Sequence, residues 1–387
     1  MDQQLIQTLT ELIRIESVNP AYPGGSRGEE GVAAFVEAHC RSLGLDVNRQ
    51  VVVPGRENVL ATLSVPGARQ AILFEAHMDT VALEPMGSRA LKPEIRDGNL
   101  SGRGACDTKG SLAAMLGAME SLVERRAELG VNVHLLASVD EEYRYRGILA
   151  FLESGVPIHA AIVGEPTDLQ VVIATKGCVR FQITTVGESA HSSNPDKGVN
   201  AIDHMADVLI ALREYQARLA ERRHPLVGQP TLSVGRVWGG IGVNIVPNSC
   251  AIEIDRRIIP GEEPASALAE IDAVLAKLRE SRPHLRVERA EPFLTDWALD
   301  TPADTPIVAA ARAAALAIGV PSTPVGVPYG TDASKLWALA QVPSIVFGPG
   351  SIEQAHTANE FVPIAHLTTA REFLIRSVLT FSTLSRS

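Results

Sequence analysis

Five motifs spread along this chain each present an acid or a histidine beside short apolar or glycine-rich sequence. In AILFEAHMDTV, the apolar Ile72, Leu73 and Phe74 lead to His77 and Asp79. Residues i and i+2 of an extended segment face the same way. Asp79 is therefore placed to hydrogen-bond the ring nitrogen of His77 that faces away from a metal, which fixes the tautomer of a ligand. Alone, His-x-Asp is better explained as a polar strand end with a solvated histidine and aspartate. SGRGACDTKGS sets Asp107 among Gly102, Gly104 and Gly110, with a helix starting near Ser111. It is not a phosphate loop, because Lys109 precedes Gly110 instead of following it, and no third glycine completes a dinucleotide fingerprint. LLASVDEEYRYRG ends an apolar strand in Asp140, Glu141 and Glu142. Adjacent acids repel one another unless a cation compensates them. Neighbours on an extended chain face opposite ways, so one of Glu141 and Glu142 can ligate a metal while the other handles protons. AAIVGEPTD ends in Glu165, and VFGPGSIEQAHTANEFV carries His356. The combined donor set is His, Asp, Glu, Glu, His. A set of nitrogen and oxygen donors without cysteine suits zinc, cobalt or manganese.

The elements that must position these residues alternate between helix and strand. Helices are expected near 2–16, 29–44 and 110–127, and strands near 58–64, 70–75, 132–139, 159–163 and 170–175. Loops dominate 17–28 and 84–109. Such alternation predicts an α/β sheet covered by helices, and in open α/β sheets sites assemble at the carboxyl ends of strands. From Cys178 the pattern changes to β-α-β-β-α-β, with strands at 179–187, 231–239, 249–258 and 285–290 and helices at 199–223 and 264–280. That order is a compact unit in itself. After Pro292 helices are expected at 304–318, 332–340 and 365–384, with a buried strand at 344–347. The simplest architecture is one α/β domain built from 1–178 and 292–387, interrupted by an α+β domain at 179–291.

Composition narrows the function classes. Among 387 residues, Lys and Arg total 35 against 45 Asp and Glu, a net charge of −10. An acidic balance argues against a nucleic-acid partner, which is normally met by a basic face. Cys40, Cys106, Cys178 and Cys250 are far apart and suggest neither a disulfide framework nor a zinc knuckle. The first helix is amphipathic and acidic, unlike a signal peptide, and no apolar run reaches the ~18 residues of a membrane span. A cytoplasmic, reducing setting without membrane attachment is expected.

HMDTV, GRGACDTKGS, DEE, GEPT and QAHTANEF together resemble the dinuclear zinc deacylases and exopeptidases. This family includes acetylornithine deacetylase, succinyl-diaminopimelate desuccinylase, aminoacylase and carboxypeptidase G. The motifs stand in the family's order over nearly the whole chain. The resemblance implies a zinc-exopeptidase-like catalytic domain with an inserted ferredoxin-like lid and dimerisation domain. It implies two divalent ions per chain, zinc or else cobalt or manganese, bridged by Asp107. His77 and Glu165 would complete one ion's protein ligands, and Glu142 and His356 the other's. Glu141 would be the general base and Asp79 would orient His77. In the insert, His191 would reach the site of a dimer partner. Asn244 and Arg257, with Arg256 as the alternative register, would contact substrate. Gly330 and Thr331 would line the pocket. The implied reaction is removal of an acyl group from an N-acyl-L-amino acid by a homodimer. A dipeptidase or carboxypeptidase with the same metals is the alternative. A cysteine hydrolase using Cys106 and a non-catalytic binding protein are more distant readings.

Overall fold

Seven consecutive buried residues, Ala71–His77, form the central strand of the larger unit. A strand covered on both faces reads as a continuous apolar run. In the computed structural model, which describes residues 2–25 and 27–384, this strand pairs in parallel with Asn132–Ser138 on one side and Ala160–Val163 on the other. Ser344–Val346 adds to Ala160–Val163, again in parallel. The hairpin Asp46–Val53 and Arg56–Leu63 continues the sheet antiparallel beyond Asn132–Ser138. Parallel strands bring their carboxyl ends to one edge. The segments carrying His77, Asp140–Glu142, Glu165 and His356 all follow strands of this parallel set.

Helices cover the sheet with the faces their sequence dictates. Asp2–Arg14 buries Leu5, Leu9, Leu12 and Ile13, the stripe expected of a 3.6-residue period. Lys109–Glu124, which starts two residues after Asp107, buries most of its length and packs against Ile364–Leu384. Pro306–Ile318 has a proline in its first turn and ends at Gly319 with φ 77°, the usual asymmetry of helix ends.

The chain forms two compact units. One is Met1–Ile173, Asp300–Gly326 and Thr331–Ser387, and the other is Ala174–Leu299 with Val327–Gly330. The inserted unit is therefore longer than 179–291. Its strand Gly177–Val186 starts earlier than expected, and a fifth strand, Leu294–Asp296, pairs with it beyond Arg286–Arg289. On its other side lie Ser249–Ile258 and then Thr231–Gly239. Helices Ala201–Leu219 and Pro264–Ser281 share a core with Phe181, Ile183, Ile252 and Ile254 from this sheet. Asn200 caps the first helix by accepting from the backbone N–H of Ile202 at 2.9 Å, as N-cap residues do. Gly330 falls in the inserted unit while Thr331 falls in the larger one. A Cβ on Gly330 would stand 2.0 Å from Asp296 Oδ2, so any side chain there would have to displace the buried Asp296 carboxylate.

The expected loop 84–109 holds two strands, Glu94–Arg96 and Asn99–Ser101, which join Phe361–Pro363 in a small sheet. Asp97 and Gly98, at φ 51° and 79°, make a two-residue turn of the kind an Asp-Gly pair signals.

Candidate metal centre

Asp107 is the hub of the site. Its Oδ1 lies 3.0 Å from His77 Nε2 and its Oδ2 lies 3.2 Å from His356 Nε2. The two oxygens of one carboxylate thus meet two imidazoles that are separated by most of the chain. His356 Nε2 is also 3.2 Å from Glu142 Oε2. His77 Nε2 stands 3.9 Å from Glu165 Oε1 and 4.0 Å from Glu141 Oε2. Ligand atoms of His77, Glu141 and Glu165 lie within 4.8 Å of one another, and so do those of His77, Asp107 and Glu142. The structure therefore brings together all five expected ligands and the expected base.

The electrostatics of this cluster are those of a cation site. Burial holds Glu141 and Glu165 well above the usual carboxylate range, and neighbouring carboxylates add to the shift. Burial, with Asp107 beside it, pushes Glu142 up to about 7. The hydrogen bonds to Asp107 and Glu142 push His356 up to about 10. Burial alone would lower the His77 value, but the Asp107 hydrogen bond and nearby carboxylates outweigh it and raise it. Four carboxylates, Asp107, Glu141, Glu142 and Glu165, thus face two imidazoles, an excess of negative charge that a cation would offset. Divalent ions with a taste for nitrogen and oxygen donors fit that excess.

The acidic turn differs from the extended chain expected of it. Asp140 adopts φ 68°, and the backbone N–H groups of Arg144 and Tyr145 donate to its carbonyl. Glu141 and Glu142 diverge because they sit on a turn, not because they alternate along a strand. Asp140 does not belong to the metal cluster. Its fully buried carboxylate pairs with Arg56 at 3.0 Å and with Arg146, and Arg56 also pairs with the buried Glu29. No local signal marks Arg56, which lies 84 residues upstream of Asp140. Removing one partner of a buried ion pair costs about 3–5 kcal/mol, because the other charges remain uncompensated. Arg56→Met is accordingly expected to destabilise the larger unit by about that much, read as a lower denaturation midpoint; an unchanged midpoint would refute the assignment.

Asp79 also departs from expectation. His77 Nδ1 hydrogen-bonds the main-chain carbonyl of Asp79 at 2.9 Å, while the carboxylate stands 3.7 Å away. The Asp79 carboxylate instead accepts the backbone N–H groups of Glu141 and Glu142, both at 3.1 Å. The chain curls after His77, so main chain and side chain exchange the roles that a straight strand would give them.

Glu360 is a site residue that spacing alone did not single out. It is fully buried, and its Oε1 accepts the backbone N–H groups of Cys106 and Asp107 at 2.9 and 3.0 Å. Its Oε2 pairs with Arg103 at 2.6 Å. The loop that carries His356 is thereby tied to the loop that carries Asp107. Cys106 is buried, its Sγ donates to Ser351 O at 3.2 Å, and burial pushes its thiol far up. That environment suppresses the thiolate a nucleophile needs and removes the cysteine-hydrolase reading.

The remaining expected residues lie as follows. Thr331 is fully buried, and its carbonyl accepts from Lys335 Nζ at 3.0 Å. In the inserted unit, His191 and Asn244 belong to neighbouring exposed loops, bridged by a backbone hydrogen bond from Ser192 to Asn244 at 3.1 Å. Arg256 is fully buried against Tyr215 and Glu262. Arg257 is half-buried and pairs with Asp255 at 2.8 Å. Of the two registers, Arg257 is therefore the arginine with a solvent-accessible guanidinium.

The model of Peptidase family M20/M25/M40 matches residues 73–380. An acetylornithine deacetylase from Myxococcus xanthus is 31% identical, with 97% of this chain and 96% of that protein covered. A tripeptidase structure from Staphylococcus aureus superimposes with a TM-score of 0.81 at 21% identity, covering 99% of both chains. A Bacillus subtilis protein described as a dinuclear metal binding peptidase of the M20 family superimposes with a TM-score of 0.73 at 18% identity, covering 98% of this chain and 97% of that one. With a family model spanning most of its length and a relative 31% identical over nearly the whole of both chains, the chain belongs to Peptidase family M20/M25/M40 and is a metallo-hydrolase of amide bonds.

Proposed function

We propose that the chain removes the acyl group from an N-acyl-L-amino acid, with two divalent ions held by His77, Asp107 and Glu165 and by Asp107, Glu142 and His356. The observation that carries this reading is the division of Asp107 between two imidazoles, with Glu141 beside them. Among the described residues, no hydrogen-bond donor engages the Glu141 carboxylate. Zinc is the first choice, with cobalt or manganese as alternatives. When bound, the ions polarise the amide carbonyl and acidify the attacking water. Glu141 accepts the proton of that water and returns it to the leaving amine. Asp79 fixes the main chain from which Glu141 projects.

Residues of the inserted unit complete the proposal. The unit acts as a lid and dimerisation domain, and a second copy supplies His191 to the developing oxyanion. His191 is exposed, and among the described residues only its Nδ1 is engaged, by the Ser193 hydroxyl at 2.8 Å and the Ser193 N–H at 3.2 Å. The dimer reading is supported by the strand Thr231–Gly239, which among the described residues has a neighbour on one side only. It exposes Val237 and Trp238, with Ile241 and Val243 following, and an apolar open edge invites a second strand. Arg257 binds the substrate carboxylate with its planar fork, and Asn244, Gly330 and Thr331 line the pocket. Losing a charge-assisted hydrogen bond costs about 1.5–3 kcal/mol. Arg257→Met is thus expected to raise KM by roughly 10- to 100-fold with a small change in kcat; a fall in kcat at constant KM would remove it from carboxylate binding.

The setting proposed is cytoplasmic. Supporting it, all four cysteines are buried and free, and no helix among the described residues is long and apolar enough to cross a membrane. Resemblance to an acetylornithine deacetylase favours the deacylase reading, and the family description favours a dipeptidase or carboxypeptidase as the second. Steady-state rates on N-acetyl-L-ornithine, N-succinyl-diaminopimelate and simple dipeptides, with zinc, cobalt or manganese added, decide between them. Faster turnover of dipeptides than of every acyl amino acid would overturn the deacylase reading.

A further inference from the structure

We propose that Asn19 is a positioning residue for Glu141, acting through Asp79. The inference rests on Glu141 being the general base. Asn19 is fully buried in the segment after the first helix. Its Nδ2 donates to Asp79 Oδ2 at 2.7 Å and to Asp140 Oδ1 at 3.0 Å. Both acceptors are buried carboxylates. An amide is the one neutral side chain of this size that offers two donors from a single nitrogen. It therefore satisfies both anions without adding a charge to a region already rich in them.

The other side of Asn19 is equally tied. Its Oδ1 accepts the N–H of Ala21 at 3.0 Å. Its own N–H donates to Thr80 O at 2.9 Å, and Thr80 N–H donates to Ser17 O at 3.0 Å. Residues 17–21 are thus stitched to 79–80 by main-chain bonds, and the Asn19 amide projects from that seam onto the acidic turn. The Asp79 carboxylate then carries three donors: Asn19 Nδ2 and the N–H groups of Glu141 and Glu142. Three donors fix the plane of a carboxylate, and that plane fixes two consecutive peptide units. Those units carry the base and a metal ligand. With Asn19 absent, Asp79 keeps only the two amides it is supposed to hold and can rotate with them. A shift of about 1 Å at a reacting group can cost on the order of 100-fold in rate.

The test uses Asn19→Ser and Asn19→Asp in the metal-loaded enzyme, with N-acetyl-L-ornithine or the fastest substrate of the panel above. The expected result is a kcat lower by roughly 10- to 100-fold, KM within about twofold, and unchanged metal content. In an Asp79→Ala background the Asn19 substitutions should change kcat by less than about threefold, since residues acting through one contact are not additive. A folded variant with parental kcat, a kcat loss that multiplies fully with Asp79→Ala, or a loss that tracks lost metal would each overturn the proposal. Failure of both variants to fold would make Asn19 a folding residue instead. Glu141→Gln is run alongside. If it retains full turnover, the reading of Glu141 as base has failed; if it is inactive while the Asn19 variants are normal, only the present inference has failed.

Discussion

Glu141→Gln is expected to lower kcat by about 10²–10⁴-fold, the range general acid–base catalysis contributes, while the protein still binds its metals. Gln has the shape of Glu but cannot accept the proton of the attacking water at neutral pH. The substitution leaves the other groups where they are, because the Glu141 carboxylate is 4.0 Å from His77 Nε2 and is not a hydrogen-bond partner of it. Burial raises the Glu141 value most, the attraction of His77 opposes it, and repulsion from Glu165, Asp332 and Glu142 adds to it, so Gln relieves burial and repulsion while giving up one attraction. The variant is thus expected to be about as stable as the parent. Metal analysis, a thermal melt and kcat on one preparation check all three points. A variant with normal metal content and full turnover would sink the assignment of Glu141.

Metal removal should abolish turnover and lower the melting temperature together. Glu142, Glu165 and Glu141 are each held above the carboxylate range by burial before any other influence. A ligand that binds only the folded state stabilises it by about 2.7 kcal/mol at 100 times its dissociation constant. For a domain of this size that corresponds to roughly 5–10 °C. Dialysis against a chelator, followed by stepwise addition of zinc or cobalt, should restore activity and melting temperature in parallel, and the dinuclear proposal expects saturation near two ions per chain. Asp107→Ala should behave like the stripped enzyme and fail to recover, since both imidazoles lose their common partner. Full activity in a chain stripped of metal would exclude the scheme.

These two results depend on residues that local sequence marks well. His77 ends a buried strand, Glu142 and Glu165 come within four residues of one, and His356 follows Ser344–Val346 across a glycine loop. An apolar run that stops at an acid is visible without a fold, because burying that acid demands compensation. Asp107 is marked by the glycines around it and by the helix that follows. The helices and parallel strands were legible for the same reason: their periods and lengths are local properties. Less legible were Asp46–Val53, whose burial alternates irregularly, and the short helix Arg146–Glu153. The limits of the inserted unit also escaped, because Leu294–Asp296 is a strand only by virtue of its pairing with Gly177–Val186.

What the sequence determined by itself was which acids and histidines stand at the ends of its apolar segments, the order of the motifs and the division into an α/β frame with an α+β insert. These follow from residue type and spacing. The tertiary structure alone decided which contacts those donors make. It turned the Asp79 carboxylate from the His77 ring to the amides of Glu141 and Glu142. It assigned Asp140 to Arg56 and Arg146 instead of to a metal, and placed Glu360 under Asp107. It separated Arg256 from Arg257 as buried and accessible partners on adjacent positions. The physical reason is common to all of them. A buried charge must find its partner wherever the fold brings one within about 3 Å: 84 residues away for Asp140 and Arg56, 253 for Asp107 and Glu360, and six for Asp140 and Arg146, where only the turn decides that the near neighbour is the partner.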